Sequence, residues 1–336
     1  MFFVPLLLAT ATSGAELAPR PRTAEVSTSE ARRAVENALP FLEKSSAAWR
    51  AERKCVTCHQ VPFAVWALTA AKDRGFAVDA AKLDDLAGWA FHFCATNEEK
   101  GERTGGFHLT SAFMILSQSA AGVRADALKT YPLFETLFAK RQKPDGSWRE
   151  GRQVRIEGAQ READEVDTMW TLLAIRALER LGDRLPAEVR KGLTGERDRA
   201  RTFLGAAKPG TRVDWLLLRV LVAKEYETPE RAQELLRELL AQQNADGGWG
   251  YVRGGTSYAH TTGECLYCLG AMGLGEDNPA VRRAWKHLVR TQQPDGRWHA
   301  PSRETFSTKP DRVHGPSTHW GTAWAAIGLR HTLPAK

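Results

Sequence analysis

Two kinds of helical segment alternate along the chain. Residues 229–243 place Leu235, Leu236, Leu239 and Leu240 on one side and charged residues on the other, and 279–292 do the same with Val281, Trp285 and Leu288. This is the period of a helix with one buried face. The second kind has few charges anywhere around its circumference. Residues 61–71, 168–178 and 322–329 are of this type, and each needs burial on most of its sides. Pro62 sits where a first-turn proline is tolerated, because the N–H it lacks has no intrahelical partner there.

What separates the two kinds is a recurring turn. Gln142-Lys-Pro-Asp-Gly146-Ser-Trp148, Gln243-Asn-Ala-Asp-Gly247-Gly-Trp249 and Gln292-Gln-Pro-Asp-Gly296-Arg-Trp298 share the form Q-x-x-x-G-x-W with Asp before Gly. A helix ends near the Gln, an Asp-Gly turn lets Gly take positive φ, and the Trp packs back. Trp249 and Trp298 are 49 residues apart and Trp148 and Trp249 are 101 apart, so one degenerate unit lies between the first two turns. Buried inner helices are expected to begin near Gln60, Leu109, Asp167, Asp214, Thr261 and Trp320. Six such helices alternating with six amphipathic ones account for the chain from Ser27 onward. The spacing predicts an all-α fold, an α/α toroid (α6/α6 barrel) of six helix pairs over 31–336, because a closed ring leaves no repeat face to be capped.

Composition adds little to this picture except at the N-terminus. Hydrophobic residues make up 43% and charged residues 26%, enough for a large core, and the repeat explains most of the excess in the eleven Trp. The net charge of +7 is spread, with Arg interleaved among Glu, which argues against nucleic-acid binding. Residues 2–11 (FFVPLLLATA) form a short apolar run followed by small residues, the core of a secretory signal and too short to span a bilayer. The expected organisation is a signal peptide over 1–19, a linker over 20–30, a periplasmic or secreted location, and no transmembrane segment.

The three turns resemble the QW motifs of squalene–hopene cyclases, and the helix pairing is similar to the wider terpenoid cyclase and protein prenyltransferase repeat superfamily. The resemblance covers most of the chain after about residue 30. It implies an acid at the head of an inner helix, the middle residue of a D-x-D-D-T signature, that protonates an alkene. The matching stretch is Asp164-Glu165-Val166-Asp167-Thr168, where Asp164 and Asp167 match the outer acids and Val166 stands in the middle. Glu165, one residue off, is expected to point elsewhere. Asp164, Glu165 and Asp167 are the candidates for a cyclase-type or prenyltransferase-type acid site. The zinc of the prenyltransferases would take Asp167 and His260, but Met169 occupies the position of its cysteine.

Cys55-Val-Thr-Cys58-His59 is the sharpest chemical signal. Thiols at i and i+3 can form thioethers to the two haem vinyl groups, and the adjacent His59 then reaches the iron from the proximal side. The motif is coherent with export, where an unprotected thiol pair invites a disulfide. Covalent haem c is therefore the expected cofactor. The alternatives are zinc held by Cys55, Cys58, His59 and a fourth ligand, or a disulfide or packing role. In a toroid the loops before the inner helices share one rim, so His108, Asp167, Asp214, Tyr258, His260, His314 and His319 should lie on the side that carries CxxCH. His260 and His319 are the first choices for a second ligand. Cys265 and Cys268, inside a predicted helix, are read as packing, as are Cys94, Met114, Met169 and Met272. The expected partners are a redox protein and a hydrophobic, isoprenoid-class ligand. Three functions stand open: a haem-carrying electron-transfer or oxidising protein, a cyclase or prenyltransferase relative, and a non-catalytic binding scaffold.

Overall fold

The structure, a computed structural model, describes residues 25–53, 55–56, 60–99, 107–118, 122–148, 160–300 and 310–335; at 96–99, 107, 160 and 310–316 it describes the helix but not the side chains. The expected signal segment lies outside the described residues, as do Cys58 and His59. Twelve α-helices are described: α1 Thr28–Arg53, α2 Val61–Lys72, α3 Ala80–Glu99, α4 Phe107–Leu116, α5 Ala125–Arg141, α6 Gln160–Glu179, α7 Ala187–Gly205, α8 Val213–Tyr226, α9 Pro229–Ala241, α10 Ala259–Ala271, α11 Pro279–Thr291 and α12 Pro310–Thr332.

The even-numbered helices form the inner layer. Each packs on the next, α2 on α4, α4 on α6, α6 on α8, α8 on α10 and α10 on α12, and α12 returns to α2. The odd-numbered helices wrap them, and α1 packs against α11 and α12, closing the ring. The α/α toroid expected from the repeat is the fold observed. None of the described helices is long and apolar enough to cross a membrane.

Local chemistry sets the helix boundaries. Thr228 and Asn278 cap α9 and α11, accepting backbone N–H bonds from Arg231 (3.2 Å) and Ala280 (2.9 Å), with Pro229 and Pro279 in the first turns. The Q-x-x-x-G-x-W turns then act as rivets. In each, the Gln Nε2 donates to the carbonyl of its own turn Gly and to a carbonyl of the next outer helix: Glu196 (2.9 Å), Ala280 (2.8 Å) or Ala34 (2.8 Å). Each Trp indole donates back to the helix it follows, at Phe138, Leu239 or Leu288. Each Trp backbone N–H meets a threonine hydroxyl of the following inner helix: Thr168, Thr262 or Thr322. One turn thus ties two outer helices and one inner helix together.

Rings fill the centre. Trp66, Trp170 and Trp324 stand at mutual centroid distances of 5.3–6.2 Å, with Phe63 and Phe113 packed beside them. All five are buried. At this level the aromatic side chains are the core of the toroid.

Two boundaries differ from expectation. The third inner helix starts at Gln160, not near Asp167, and the sixth at Pro310, not near Trp320. In α6 Gln160, Arg161, Glu162 and Ala163 are good helix formers that extend the helix beyond its apolar part, and α12 likewise runs past its apolar part, so Asp167 and His319 lie inside helices and not at their heads.

Candidate functional site

Cys55 and Gln60 bracket the CxxCH motif in the connection from α1 to α2, which is the place in this pair that the Gln-Gly-Trp turns occupy in others. Both ends are pinned. Trp49, one turn from the end of α1, donates its indole N–H to the Cys55 carbonyl at 2.9 Å. At the other end the Gln60 carbonyl pairs with Nε2 of His319 at 2.9 Å, and Nδ1 of His319 meets the Ser45 hydroxyl at 2.6 Å. Between them Val56 is fully buried and its carbonyl accepts from the Val61 N–H (3.4 Å). Cys55 is a half-buried free thiol.

His319 therefore has a structural post. Burial drives its pKa down to about 4 against the opposing hydrogen bond to Gln60, so the ring is neutral, and both nitrogens are already engaged. As placed, it holds the Gln60 end of the motif, and serving as a metal ligand would require it to give up one of these two bonds.

His260 has different surroundings. It is 1% exposed, its ring centroid lies 4.0 Å from that of Trp320 and 5.5 Å from that of Tyr251, and its Nε2 is 3.6 Å from Glu264 Oε1. It belongs to a buried polar cluster between α6, α8 and α10. Arg212 holds Asp214 through two bonds, Nε to Oδ1 at 2.8 Å and Nη2 to Oδ2. Burial opposes the Arg212 charge, but Asp214 chiefly, and then Asp167, outweigh it and keep the guanidinium protonated. Glu264 is 3% exposed, and its Oε2 has no hydrogen-bond partner. Burial chiefly, and then the Asp214 charge, push its carboxyl well above the usual range against the pull of Arg212, so it is a neutral acid.

Of the remaining acid candidates, Asp164 and Asp167 stand three residues apart on α6, and Asp167 is buried and acts on Arg212. Glu165 turns toward α8: it is 2% exposed, accepts the Trp215 indole N–H at 2.5 Å and pairs with Arg161 at 2.6 Å. Asp164 is half-buried and Val166 buried, so no carboxyl replaces the middle acid of the signature there. Glu162 accepts the backbone N–H groups of Thr211 and Arg212, both at 2.9 Å.

Sequence reasoning named Asp167, Asp214 and His260 and missed Arg212 and Glu264. The available signal was a carboxylate one turn into the otherwise uncharged α10. His108 is buried at the start of α4 and Tyr258 half-buried beside α10, while the side chain of His314 lies outside the described residues. Cys265 and Cys268 are free and fully buried; burial raises both thiols, and Cys94 is pushed up to about 12. Met114 and Met169 are core residues. Among the described residues no group of three or more His, Cys, Asp or Glu is arranged to hold a metal.

Residues 209–334 match the squalene-hopene cyclase C-terminal domain. Over 90 residues the chain is 37% identical to a probable squalene–hopene cyclase of Sinorhizobium fredii, a stretch covering 26% of this chain and 13% of that protein. Over 106 residues it is 29% identical to the squalene–hopene cyclase of Bradyrhizobium diazoefficiens, covering 31% of this chain and 16% of that one. The matches thus span a small part of these relatives' length, and they support a terpenoid cyclase-like repeat. Among solved structures, the unsaturated glucuronyl hydrolases of Streptococcus agalactiae (TM-score 0.58, 10% identity, 92% of each chain) and Bacillus sp. GL1 (0.57, 12%, 90% of this chain and 96% of that) share the α/α toroid. A possible GH105 member from Klebsiella pneumoniae does so as well (0.55, 12%, 97% and 99%). At such identities the likeness is one of fold.

Proposed function

We propose that the chain is an exported protein that carries haem c through Cys55 and Cys58, with His59 as proximal ligand, on a terpenoid cyclase-like toroid. The observation that carries this reading is the pinning of the motif at both ends, Cys55 by Trp49 and Gln60 by His319. Carbonyls fixed at 55 and 60 set where the two ends of the motif lie, the preorganisation an attachment site needs. Bound haem supplies a one-electron carrier. The protein's part is to anchor the two ends of the motif and to keep the neighbouring His319 neutral, as burial does. The role that follows is electron transfer with a redox partner protein, or oxidation of a hydrophobic substrate at the rim; the ring-filled centre favours the former.

The test is expression behind an export signal in a host that matures c-type cytochromes, followed by haem staining of denaturing gels and a pyridine haemochrome spectrum. Covalent haem that disappears in Cys55→Ala/Cys58→Ala supports the reading. Folded, exported protein without haem overturns it, and metal analysis then decides for zinc or for plain cysteines.

One observation favours a second reading, a cyclase- or prenyltransferase-related activity. The neutral acid Glu264 beside His260 lies within the segment that matches the cyclase C-terminal domain. Turnover of an isoprenoid alkene that is lost in Glu264→Gln would support it over both a haem carrier and an inert scaffold.

A further inference from the structure

We propose that Glu135 of α5 and Glu196 of α7 form a proton-held latch across the seam between these outer helices, closed in neutral or acidic surroundings and released in alkaline ones. It involves no residue of the CxxCH motif. The repeat shows that the pair is an addition to the fold. Glu196 is the residue whose carbonyl takes the Gln142 side-chain bond, and Ala280 and Ala34 take the same bond from Gln243 and Gln292. Glu135 stands seven residues before Gln142, where the other two turns have Leu236 and Trp285. All four counterparts are apolar and buried. Two carboxyls thus replace two apolar positions at one of the three turns.

Glu196 is 1% exposed, and neither of its oxygens receives a hydrogen bond from an N–H or hydroxyl group. Glu135, half-buried, lies over the backbone of Gly192, one turn before Glu196: a methyl group on Gly192 would come within 2.0 Å of Glu135 Oε1. The two carboxyls are hydrogen-bond partners, and such a pair in a desolvated seam holds one proton, because adjoining carboxylates repel. Glu196 carries it. Burial first, and then the Glu135 charge, push its carboxyl up to about 8 against the pull of Arg199. Arg199, three residues on along α7, is held by the Gln142 side chain at 2.7 Å. On the α6 side Glu179 is taken up by Arg197 of α7 at 2.7 Å and by Arg176 at 3.4 Å. Burial also raises Glu135, and the hydrogen bond from Glu196 opposes that rise.

An opened seam exposes Glu196 to water, where its pKa returns to the ordinary carboxylate range. Above that range the open form has lost the proton and the closed form keeps it. The latch is therefore fully effective below the ordinary value and is lost as pH rises through about 8. The proton then passes to solvent base and leaves two carboxylates face to face. Opening frees the Gln142 side chain from α7 and loosens the turn whose Trp148 N–H is bonded to Thr168, the neighbour of Asp167.

The test is amide exchange on the full chain at pH 6 and pH 8, expressed as protection factors, with Trp249 and Trp298 as internal references for the two turns that lack the carboxyls. Between the two pH values the protection of Trp148 should fall at least about tenfold relative to both references. It should hold in Glu196→Gln, whose amide donates to Glu135 at every pH. Glu135→Leu/Glu196→Ala, which installs the residues of the second turn, should likewise remove the fall, and it serves where Glu196→Gln does not fold. Wild-type protein in which Trp148 follows Trp249 and Trp298 at both pH values overturns the latch. A fall of the same size in either folded variant overturns it too, since another group would then carry the proton.

Discussion

Gln292 in the last turn donates its side-chain amide to the carbonyl of Ala34 at 2.8 Å, joining residues 258 positions apart. The equivalent bonds of Gln142 and Gln243 link successive outer helices, to Glu196 and Ala280, but this one links the last outer helix to the first. It is the repeat's own rivet used to close the ring. Gln292→Leu removes this bond and the one to Gly296, leaving two carbonyls short of a donor. A loss of about 1–3 kcal/mol is expected in urea unfolding. An unchanged midpoint would mean that closure does not depend on the rivet.

Two glycines with similar backbone allow a sharper comparison. Gly296 (φ 84°) and Gly273 (φ 82°) both occupy the left-handed region. A methyl group on Gly273 meets nothing within 4 Å, whereas on Gly296 it would come within 1.8 Å of the Asn37 carbonyl oxygen in α1. Gly273→Ala should therefore cost about 1–2 kcal/mol, the price of the backbone conformation alone. Gly296→Ala should cost clearly more, because it also pushes α1 off the ring. Equal thermal shifts in the two variants would count against this close approach.

Glu264 gives the protein a stability slope in the neutral range. Its carboxyl is raised well above the usual value in the folded state, first by burial and then by Asp214. Above the ordinary carboxylate pKa of about 4.3 the unfolded chain has lost this proton and the folded chain keeps it. The contribution is thus fully present below that pKa and declines as pH rises toward the folded value. Glu264→Gln keeps the shape and removes the proton, so the variant should gain on wild type steadily from pH 5 to pH 8. A difference between the two that is independent of pH would show that Glu264 is charged in the folded protein.

His319 gives a slope of the opposite kind at lower pH. Its pKa falls from 6.5 to about 4, chiefly through burial, so its contribution is present above 6.5 and is lost as pH falls toward 4. His331, lowered to about 3, acts in the same direction. His319→Gln should lower stability at pH 7 by about 1–3 kcal/mol through loss of the Ser45 and Gln60 bonds, and should flatten the acid limb. Because those bonds hold the end of the CxxCH loop, amide exchange at Gln60 and Val61 should also speed up. A variant with an unaltered acid limb would remove His319 from this post.

The toroid was legible because its information is local and repeated. Gln, Gly and Trp at fixed offsets announce a helix end, a positive-φ turn and an anchor, and Gly146, Gly247 and Gly296 all have the φ that this requires. The apolar runs identified the inner helices for the same reason. What was not legible depends on partners far away in sequence. Glu162 caps backbone groups at Thr211 and Arg212, and Glu165 meets Trp215, so polar residues that looked like loop extend α6. His319 stood out as a ligand candidate, and only its pairing with Ser45 and Gln60, more than 250 positions away, reveals what occupies its nitrogens. The Arg212–Asp214–Glu264 cluster is hidden likewise, since nothing at each position alone says that α8 and α10 bring these groups together.

The most direct measurement is the intact mass of the exported, mature protein, compared with that of Cys55→Ser/Cys58→Ser. The account predicts wild-type protein heavier than its polypeptide by one haem, with the added mass surviving denaturation and absent from the double variant. A denatured mass equal to the bare polypeptide, or lower by the two hydrogens of a disulfide, would contradict it.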